Sequence, residues 1–139
     1  MKDLGNRMKE NYELPARHFL LKKVPVIVRV DGKAFHTYTK GMDKPWDQRF
    51  TTAMTDTAAF VANSIQGCKV AYVQSDEISF LLSDLDAHET QPFLGNVQNK
   101  LESIIASMVT AYFNGFMLSD FGRAFFDARA FNIPKEEVP

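Results

Sequence analysis

Apolar and polar residues alternate in four short stretches of the chain, which is the pattern of half-buried strands. In the clearest stretch three valines take one face, while Arg29 and Asp31 share the other face. The predicted strands are 26–30, 69–73, 77–83 and 125–131. The short connection at 74–76 predicts that the middle two form an antiparallel hairpin.

Two longer stretches repeat apolar residues at helical spacing. The first begins after Asp47, whose carboxylate suits an N-cap, and ends near Gly67. The second covers 94–116. A short amphipathic helix at 1–13 is predicted to lie against another surface. The apolar stripes are Leu4, Met8 and Tyr12 in the short helix, Phe50, Met54, Thr57, Ala58, Val61 and Ile65 in the first long helix, and Val97, Leu101, Ile104, Ile105, Met108 and Tyr112 in the second.

The order of the elements is β-α-β-β-α-β, which predicts an α+β fold of the ferredoxin-like type, an antiparallel sheet with two helices on one face. The first and third strands then lie side by side in the centre. Because they are antiparallel, the end of the first strand at Asp31 meets the start of the third at Asp76. We expect a single domain over 1–139 that includes an N-terminal helix.

Composition narrows the class of protein without naming a function. The chain has 139 residues, 45% of them hydrophobic and 24% charged, which is ordinary for a globular domain. Its one cysteine, Cys68, excludes an intrachain disulfide. We find no apolar run of about 18 residues and no signal peptide at the start, so we expect a cytoplasmic protein without a membrane anchor. The chain is basic over 1–45 and acidic over 46–139.

Two carboxylates at one end of a sheet are what a metal-dependent nucleotidyl transfer site requires. Asp31 and Asp76 could hold two Mg²⁺ ions, and the carbonyl of Gly32 could join them. The amides of 33–36 could cradle phosphate, while Lys44 and Lys100 could neutralise its charge. The plain alternative is that Asp31-Gly32 is only a turn and that Asp76 is only a hairpin residue.

Four runs carry a resemblance to a known family: Arg29 to His36, Lys44 to Asp47, Tyr72 to Phe80 and Phe126 to Arg129. Together they resemble the tRNA-histidine guanylyltransferase family, which includes related 3′–5′ polymerases. The resemblance spans almost the whole chain in the expected order. It implies a polymerase-type palm that adds a guanylate or another nucleotide to the 5′ end of tRNA, using ATP or GTP to activate the 5′-monophosphate.

The resemblance also implies roles for individual residues. Asp31, Asp76 and Glu77 are the implied catalytic residues, and the implied metal ligands for two Mg²⁺ are the two aspartates with the Gly32 carbonyl. The implied nucleotide-binding residues are Asp31, Gly32, Lys33, Ala34, Phe35, His36, Lys44, Ser75, Asp76 and Lys100.

The family further implies a homo-oligomer, a tetramer. Its members generally continue beyond the last palm strand into a helical C-terminal half that helps to bind tRNA, and we expect that half to be absent from 1–139. Two other functions remain open. One is a non-catalytic palm that binds nucleotide or a partner protein without turnover. The other is a palm-type nucleotide cyclase, although Gln74-Ser75-Asp76-Glu77 stands where such enzymes carry a Gly-Gly-Asp-Glu-Phe-like hairpin.

Overall fold

A computed structural model describes residues 3–138. Four strands form one antiparallel sheet in the order β2-β3-β1-β4, so the first and third strands are central as predicted. Two long helices pack on one face of it. The elements are α1 (Leu4–Met8), β1 (Val26–Gly32), α2 (Phe35–Tyr38), α3 (Gln48–Ser64), β2 (Cys68–Gln74), β3 (Glu77–Leu82), α4 (Gln98–Phe121) and β4 (Phe126–Asn132). The α+β, ferredoxin-like prediction is therefore confirmed.

The covered face of the sheet forms the core together with α3 and α4. The three valines of β1 are buried, and so are Ile78, Phe80 and Leu82 of β3. The stripe predicted for α3 is also confirmed, since Met54 and Val61 are fully buried and Phe50 packs against the core. Asp47 caps α3 as predicted by accepting hydrogen bonds from the Arg49 and Phe50 amides at 3.0 and 3.3 Å.

The open face of the sheet carries the other half of each strand. Cross-strand pairing aligns the side chains there in rows. An acidic row lies at one end, a row with two arginines is in the middle, and an apolar row lies at the other end. The rows are Glu77, Asp31 and Asp127; then Tyr72, Ser79, Arg29 and Arg129; then Val70, Leu81, Ile27 and Phe131.

Helix α4 differs from the prediction at both ends. It begins at Gln98, because Leu94, Gly95 and Asn96 have positive φ angles that a right-handed helix excludes. This segment bonds instead to the connector before β1: the Leu20 amide donates to the Asn96 carbonyl at 2.8 Å. The helix ends at Phe121, beyond the predicted 116. Its buried stripe is Leu101, Ile105, Val109, Phe113 and Met117, while Ile104 and Tyr112 of the predicted stripe are exposed.

The N-terminal helix is shorter and less packed than predicted. Residues 1 and 2 lie outside the described part. Helix α1 is followed by a π-helical turn, Lys9–Glu13. The stripe of Leu4, Met8 and Tyr12 is 65%, 50% and 66% exposed, so within residues 3–138 it does not pack against this domain. The loop after β1 is largely polar, yet Met42 is buried there.

Within residues 3–138, helix α4 is long and apolar enough to cross a membrane by length and composition alone. The prediction that the chain contains no apolar run of this length is therefore corrected by α4. A core helix of a soluble protein passes the same test, and the stripe from Leu101 to Met117 packs in the core of this domain. This one helix is weak evidence for a membrane span.

Candidate functional site

The acidic end of the sheet brings Asp31 and Asp76 together. Asp31 lies near the end of β1, and Asp76 lies in the two-residue turn between β2 and β3. The Gly32 amide donates a hydrogen bond to the Asp76 carbonyl at 3.1 Å, which fixes the end of β1 to the hairpin turn. Ser75, in the same turn, has a left-handed φ of 56°. The two loops that carry the candidate ligands are thus joined by their backbones.

Two further carboxylates flank Asp31 on the open face. Asp31 pairs with Glu77 of β3 on one side and with Asp127 of β4 on the other. Residues directly opposite one another on antiparallel strands have close side chains, so these like charges repel. Glu77 was among the predicted catalytic residues. Asp127 was not predicted as a site residue, although its alternation with Phe126 and Ala128 placed it on the open face.

Burial and a neighbouring negative charge raise the pKa of Asp76 above its ordinary value. The largest cause is burial, which disfavours the charged carboxylate, and the negative charge of Asp31 adds to it. Hydrogen bonds from its own backbone and from the Ser75 side chain act in the opposite direction. A carboxylate whose pKa is raised beside another carboxylate is a site that gains by binding a cation.

The next row of the open face supplies positive charge. Arg29 pairs across the strands with Arg129, and the Arg29 guanidinium is 4.0 Å from the Glu77 carboxylate. Both members of that ion pair are partly exposed, so it contributes little to stability. The two arginines therefore leave an open, positively charged strip beside the acidic row.

Gly32 and Phe35 shape the loop after β1. Phe35 is 5% exposed, and its ring contacts those of Tyr38 and Phe126 at centroid distances of 4.8 and 5.0 Å. A Cβ on residue 32 would overlap the Phe35 ring, so this packing requires glycine there. Since the Phe35 side chain lies in the core, Phe35 could contact a nucleotide only through its backbone.

The predicted phosphate cradle is reduced by one amide. The Lys33 amide donates to the Phe125 carbonyl at 2.8 Å and is therefore not available to a phosphate. Ala34 is left-handed, with φ 54° and ψ 37°, and it precedes α2. Thr37 is the first residue whose amide bonds back to the Ala34 carbonyl. The amides of 34–36, with the exposed His36, remain as the candidate cradle.

A cavity of about 400 Å³ lies next to the hairpin turn, between the end of β2 and the start of α3. Ser75 lines it on one side, and Pro45, Trp46 and Asp47 line it on the other. Lys44, which is exposed, directly precedes this lining. The Arg49 side chain and the Asp43 amide are the two largest causes that lower the pKa of Asp47 to about 2, so a negative charge is fixed in the wall.

Lys100 is not brought to this group. It lies in the first turn of α4, where its neighbours Gln98 and Glu102 bond the backbone of Ala130. Ala130 is three positions, about 10 Å, along β4 from Asp127, the partner of Asp31.

The two carboxylates are the kind of ligand that a hard divalent cation prefers. Mg²⁺ is usually held by one or two carboxylates with substrate phosphates and water completing the shell. Asp31 and Asp76 supply two carboxylates, and the charge of Asp31 acts on Asp76. Among residues 3–138 no cluster of three or more His, Cys, Asp or Glu side chains could hold a metal by itself. Any ion here would therefore need ligands from the substrate.

The strand order and the two helices behind the sheet define a palm-type domain. Comparison with known proteins extends this result. The family model described as tRNAHis guanylyltransferase (Thg1) matches residues 5–134, so the chain belongs to that family. The tRNA(His) guanylyltransferase of Schizosaccharomyces pombe is 32% identical over 127 residues, which is 86% of this chain and 46% of that protein. The resemblance stated from the sequence is confirmed.

Solved structures agree with the fold. A bacterial Thg1-like protein in complex with ATP is 45% identical, with a TM-score of 0.94 over 99% of this chain and 61% of that one. A complex with GTP gives the same TM-score and identity over 98% of this chain and 66% of that one. The Saccharomyces cerevisiae enzyme, at 23% identity and TM-score 0.74, shares the fold over 91% of this chain and 59% of its own. The chain spans about half the length of the curated relatives it matches.

Proposed function

We propose that this chain is the palm of a nucleotidyltransferase that adds a guanylate or another nucleotide to the 5′ end of tRNA. The proposal rests on the closeness of Asp31 and Asp76 in a palm of this family. The Gly32 amide, next to Asp31, donates a hydrogen bond to the Asp76 carbonyl. ATP and GTP in the bacterial relatives support a nucleoside triphosphate as the bound substrate.

In the proposed reaction an oxygen of the tRNA 5′-monophosphate attacks the α-phosphorus of ATP or GTP, and pyrophosphate leaves. The 3′-hydroxyl of an incoming nucleotide then attacks the 5′-phosphorus of the tRNA, and the nucleoside monophosphate leaves. Ser75 and the amides of 34–36 hold the triphosphate. Lys44 and Lys33 offset its charge, and Glu77 keeps Arg29 in place beside it.

Divalent ions, when bound, polarise the phosphoryl oxygen and stabilise charge on the leaving group. Asp31, Asp76 and the Gly32 carbonyl are the proposed ligands for two Mg²⁺ ions, with the triphosphate completing both shells. The raised pKa of Asp76 supports this assignment, because a bound cation removes the repulsion between Asp76 and Asp31.

The test is extension of a 5′-labelled, 5′-truncated tRNA by the purified protein with ATP, GTP and Mg²⁺. We expect extension by the wild-type protein that is lost in Asp31→Asn and in Asp76→Asn and absent without Mg²⁺. Binding of GTP without any extension would instead support a palm that binds nucleotide without turnover. Extension by both variants at the wild-type rate would contradict the proposed site.

Three finer properties stay predictions. They are a cytoplasmic location, a homo-oligomeric and specifically tetrameric assembly, and Lys100 as a residue that contacts nucleotide. Light scattering of the purified protein tests the assembly directly. Lys100→Gln tests the third prediction. An unchanged affinity for GTP would show that Lys100 does not contact nucleotide, and the position of Lys100 in the first turn of α4 favours that result.

A further inference from the structure

A second cleft, of about 260 Å³, lies beyond the acidic row of the open face. It is formed where the loop after β1 meets the residues that lead into β4. Lys33, Thr37 and Tyr38 line one side, and Arg123 and Phe125 line the other. It shares no lining residue with the cavity beside Ser75. Its volume is below the roughly 300–1,000 Å³ of pockets that enclose whole small-molecule ligands.

The backbone on both sides of this cleft is fixed. The hydrogen bond between the Lys33 amide and the Phe125 carbonyl continues the pairing of β1 with β4 by one step. The Asn114 side chain holds Ala124 through two hydrogen bonds of 2.8 Å, one to its amide and one to its carbonyl. The Tyr38 hydroxyl donates to the Gly122 carbonyl at 3.3 Å. Arg123 and Phe125 are therefore presented from a rigid segment.

The side chains that this segment presents are unusual for a free surface. The Phe125 ring is 55% exposed, although its neighbours Ala124 and Phe126 are buried. Lys33 and Arg123 are exposed, and within residues 3–138 neither forms an ion pair. An exposed aromatic ring between two unpaired cations is the combination that binds single-stranded nucleic acid, because bases stack on the ring and cations take the phosphates.

The position of the cleft relative to Asp31 indicates which ligand the cleft would bind. Phe125 directly precedes β4, and its carbonyl accepts a hydrogen bond from the Lys33 amide, so the pairing with β1 extends to it. Phe125 is two positions before Asp127, so the two residues lie about 7 Å apart on the same face. The acidic row repels a polynucleotide until metal is bound, and cations beyond that row offset the repulsion. A strand whose end reacts at Asp31 would pass this cleft within one nucleotide.

We propose that this cleft binds one nucleotide of a single-stranded RNA 5′ end, with the base stacked on Phe125 and the phosphate between Lys33 and Arg123. This inference rests on the proposed function, since it assigns the cleft to the RNA substrate of the same site. It names a positioning surface for RNA that adjoins the proposed triphosphate site at Lys33 and Ala34 and extends beyond it to Arg123 and Phe125.

The test measures the anisotropy of a short, 5′-monophosphorylated single-stranded RNA with a 3′ fluorophore, titrated with the full chain. Phe125→Ala should weaken binding about 5- to 150-fold, the loss expected for one stacked base, and Phe125→Trp should restore it. The matched control is Phe60→Ala, because Phe60 is 52% exposed on the helical side of the molecule. It should change the affinity less than about twofold.

Arg123→Gln should lower the slope of log affinity against log salt by about 0.7, the value for one phosphate contact to a single strand. Arg7→Gln, in the exposed helix α1, is its control and should leave the slope unchanged. The affinity for GTP, measured on the same proteins, should be the same in the wild type, Phe125→Ala and Arg123→Gln.

The proposal is overturned if Phe125→Ala and Phe60→Ala weaken RNA binding equally, if the wild-type protein does not bind the RNA, or if Phe125→Ala loses GTP together with RNA. Failure of the proposed function has a different signature. In that case Asp31→Asn and Asp76→Asn would extend RNA as the wild type does, or no protein in the series would bind GTP.

Discussion

The covered and open faces of this sheet are made from alternating residues of the same strands, yet they carry opposite chemistry. In β1 the valines on the covered face are at most 2% exposed, while Arg29 and Asp31, which alternate with them, are partly exposed. The covered face gains stability from burial. The open face collects three carboxylates in one row, where like charges oppose folding. A row that costs stability is typical of a site that binds something.

Removing a carboxylate from the acidic end of the sheet should give the largest effect of all, a loss of activity without a loss of stability. We expect Asp31→Asn and Asp76→Asn each to lower tRNA extension at least about 100-fold, because each removes a proposed metal ligand worth several kcal/mol. Stability should not fall, since both variants relieve repulsion. Thermal unfolding without Mg²⁺ checks this, and a clear fall in melting temperature would mean that these carboxylates are structural.

Truncating an aromatic ring on the covered face should lower stability, which is the opposite of what we expect for the carboxylates. Phe80→Ala should lower the free energy of unfolding by about 3–5 kcal/mol, because Phe80 is fully buried at the centre of β3. Phe131→Ala is the control, since Phe131 lies on the open face and is 38% exposed. Urea denaturation should show a much smaller loss for it. Equal losses would contradict the division between the two faces.

The apolar core behind the sheet contains a polar residue in α3. Thr57 of α3 is fully buried, and its Oγ1 has no hydrogen-bond partner within residues 3–138. Thr57→Val should therefore raise the free energy of unfolding by about 1 kcal/mol, because it removes an unsatisfied buried hydroxyl. Thr55→Val is the control, since the exposed Thr55 hydroxyl bonds the Thr51 carbonyl at 2.9 Å. A destabilised Thr57→Val would show that the hydroxyl has a partner in solution.

The smallest effects should appear in the pH dependence of stability, where two aspartates differ in sign. The folded pKa of Asp76 is raised, so its unfavourable contribution grows as pH rises from its ordinary 3.8 through the raised value. The pKa of Asp47 is lowered to about 2, so its favourable contribution is complete above 3.8 and is lost as pH falls toward 2.

Melting temperature measured between about pH 2 and pH 6 separates these two contributions. Asp76→Asn should gain stability over the wild type at the upper end of that range, where the charged Asp76 is penalised. Asp47→Asn keeps an N-cap acceptor but not the charge, and its deficit should shrink as pH falls below 3.8. If both variants showed the same pH profile, Asp47 and Asp76 would not contribute to stability with opposite signs.

The sequence by itself determined the strands, their faces and the meeting of Asp31 with Asp76. Alternation fixes which residues are buried in β1 and β3, because the covered face needs apolar side chains at every second position. The N-cap at Asp47 and the buried stripe of α3 also follow from local chemistry. Once the order of elements gives two central antiparallel strands, the ends that carry the carboxylates have to be neighbours.

Only the tertiary structure decided where α4 starts, that the Lys33 amide is already hydrogen-bonded, and which other residues join the acidic row. Helix α4 starts late because the segment before it bonds to a connector more than seventy positions away, as in the hydrogen bond from Asn96 to Leu21. Lys33 loses its free amide to Phe125, and Asp127 comes opposite Asp31, through the pairing of β1 with β4. These are contacts between distant parts of the chain, and local pattern carries no information about their register.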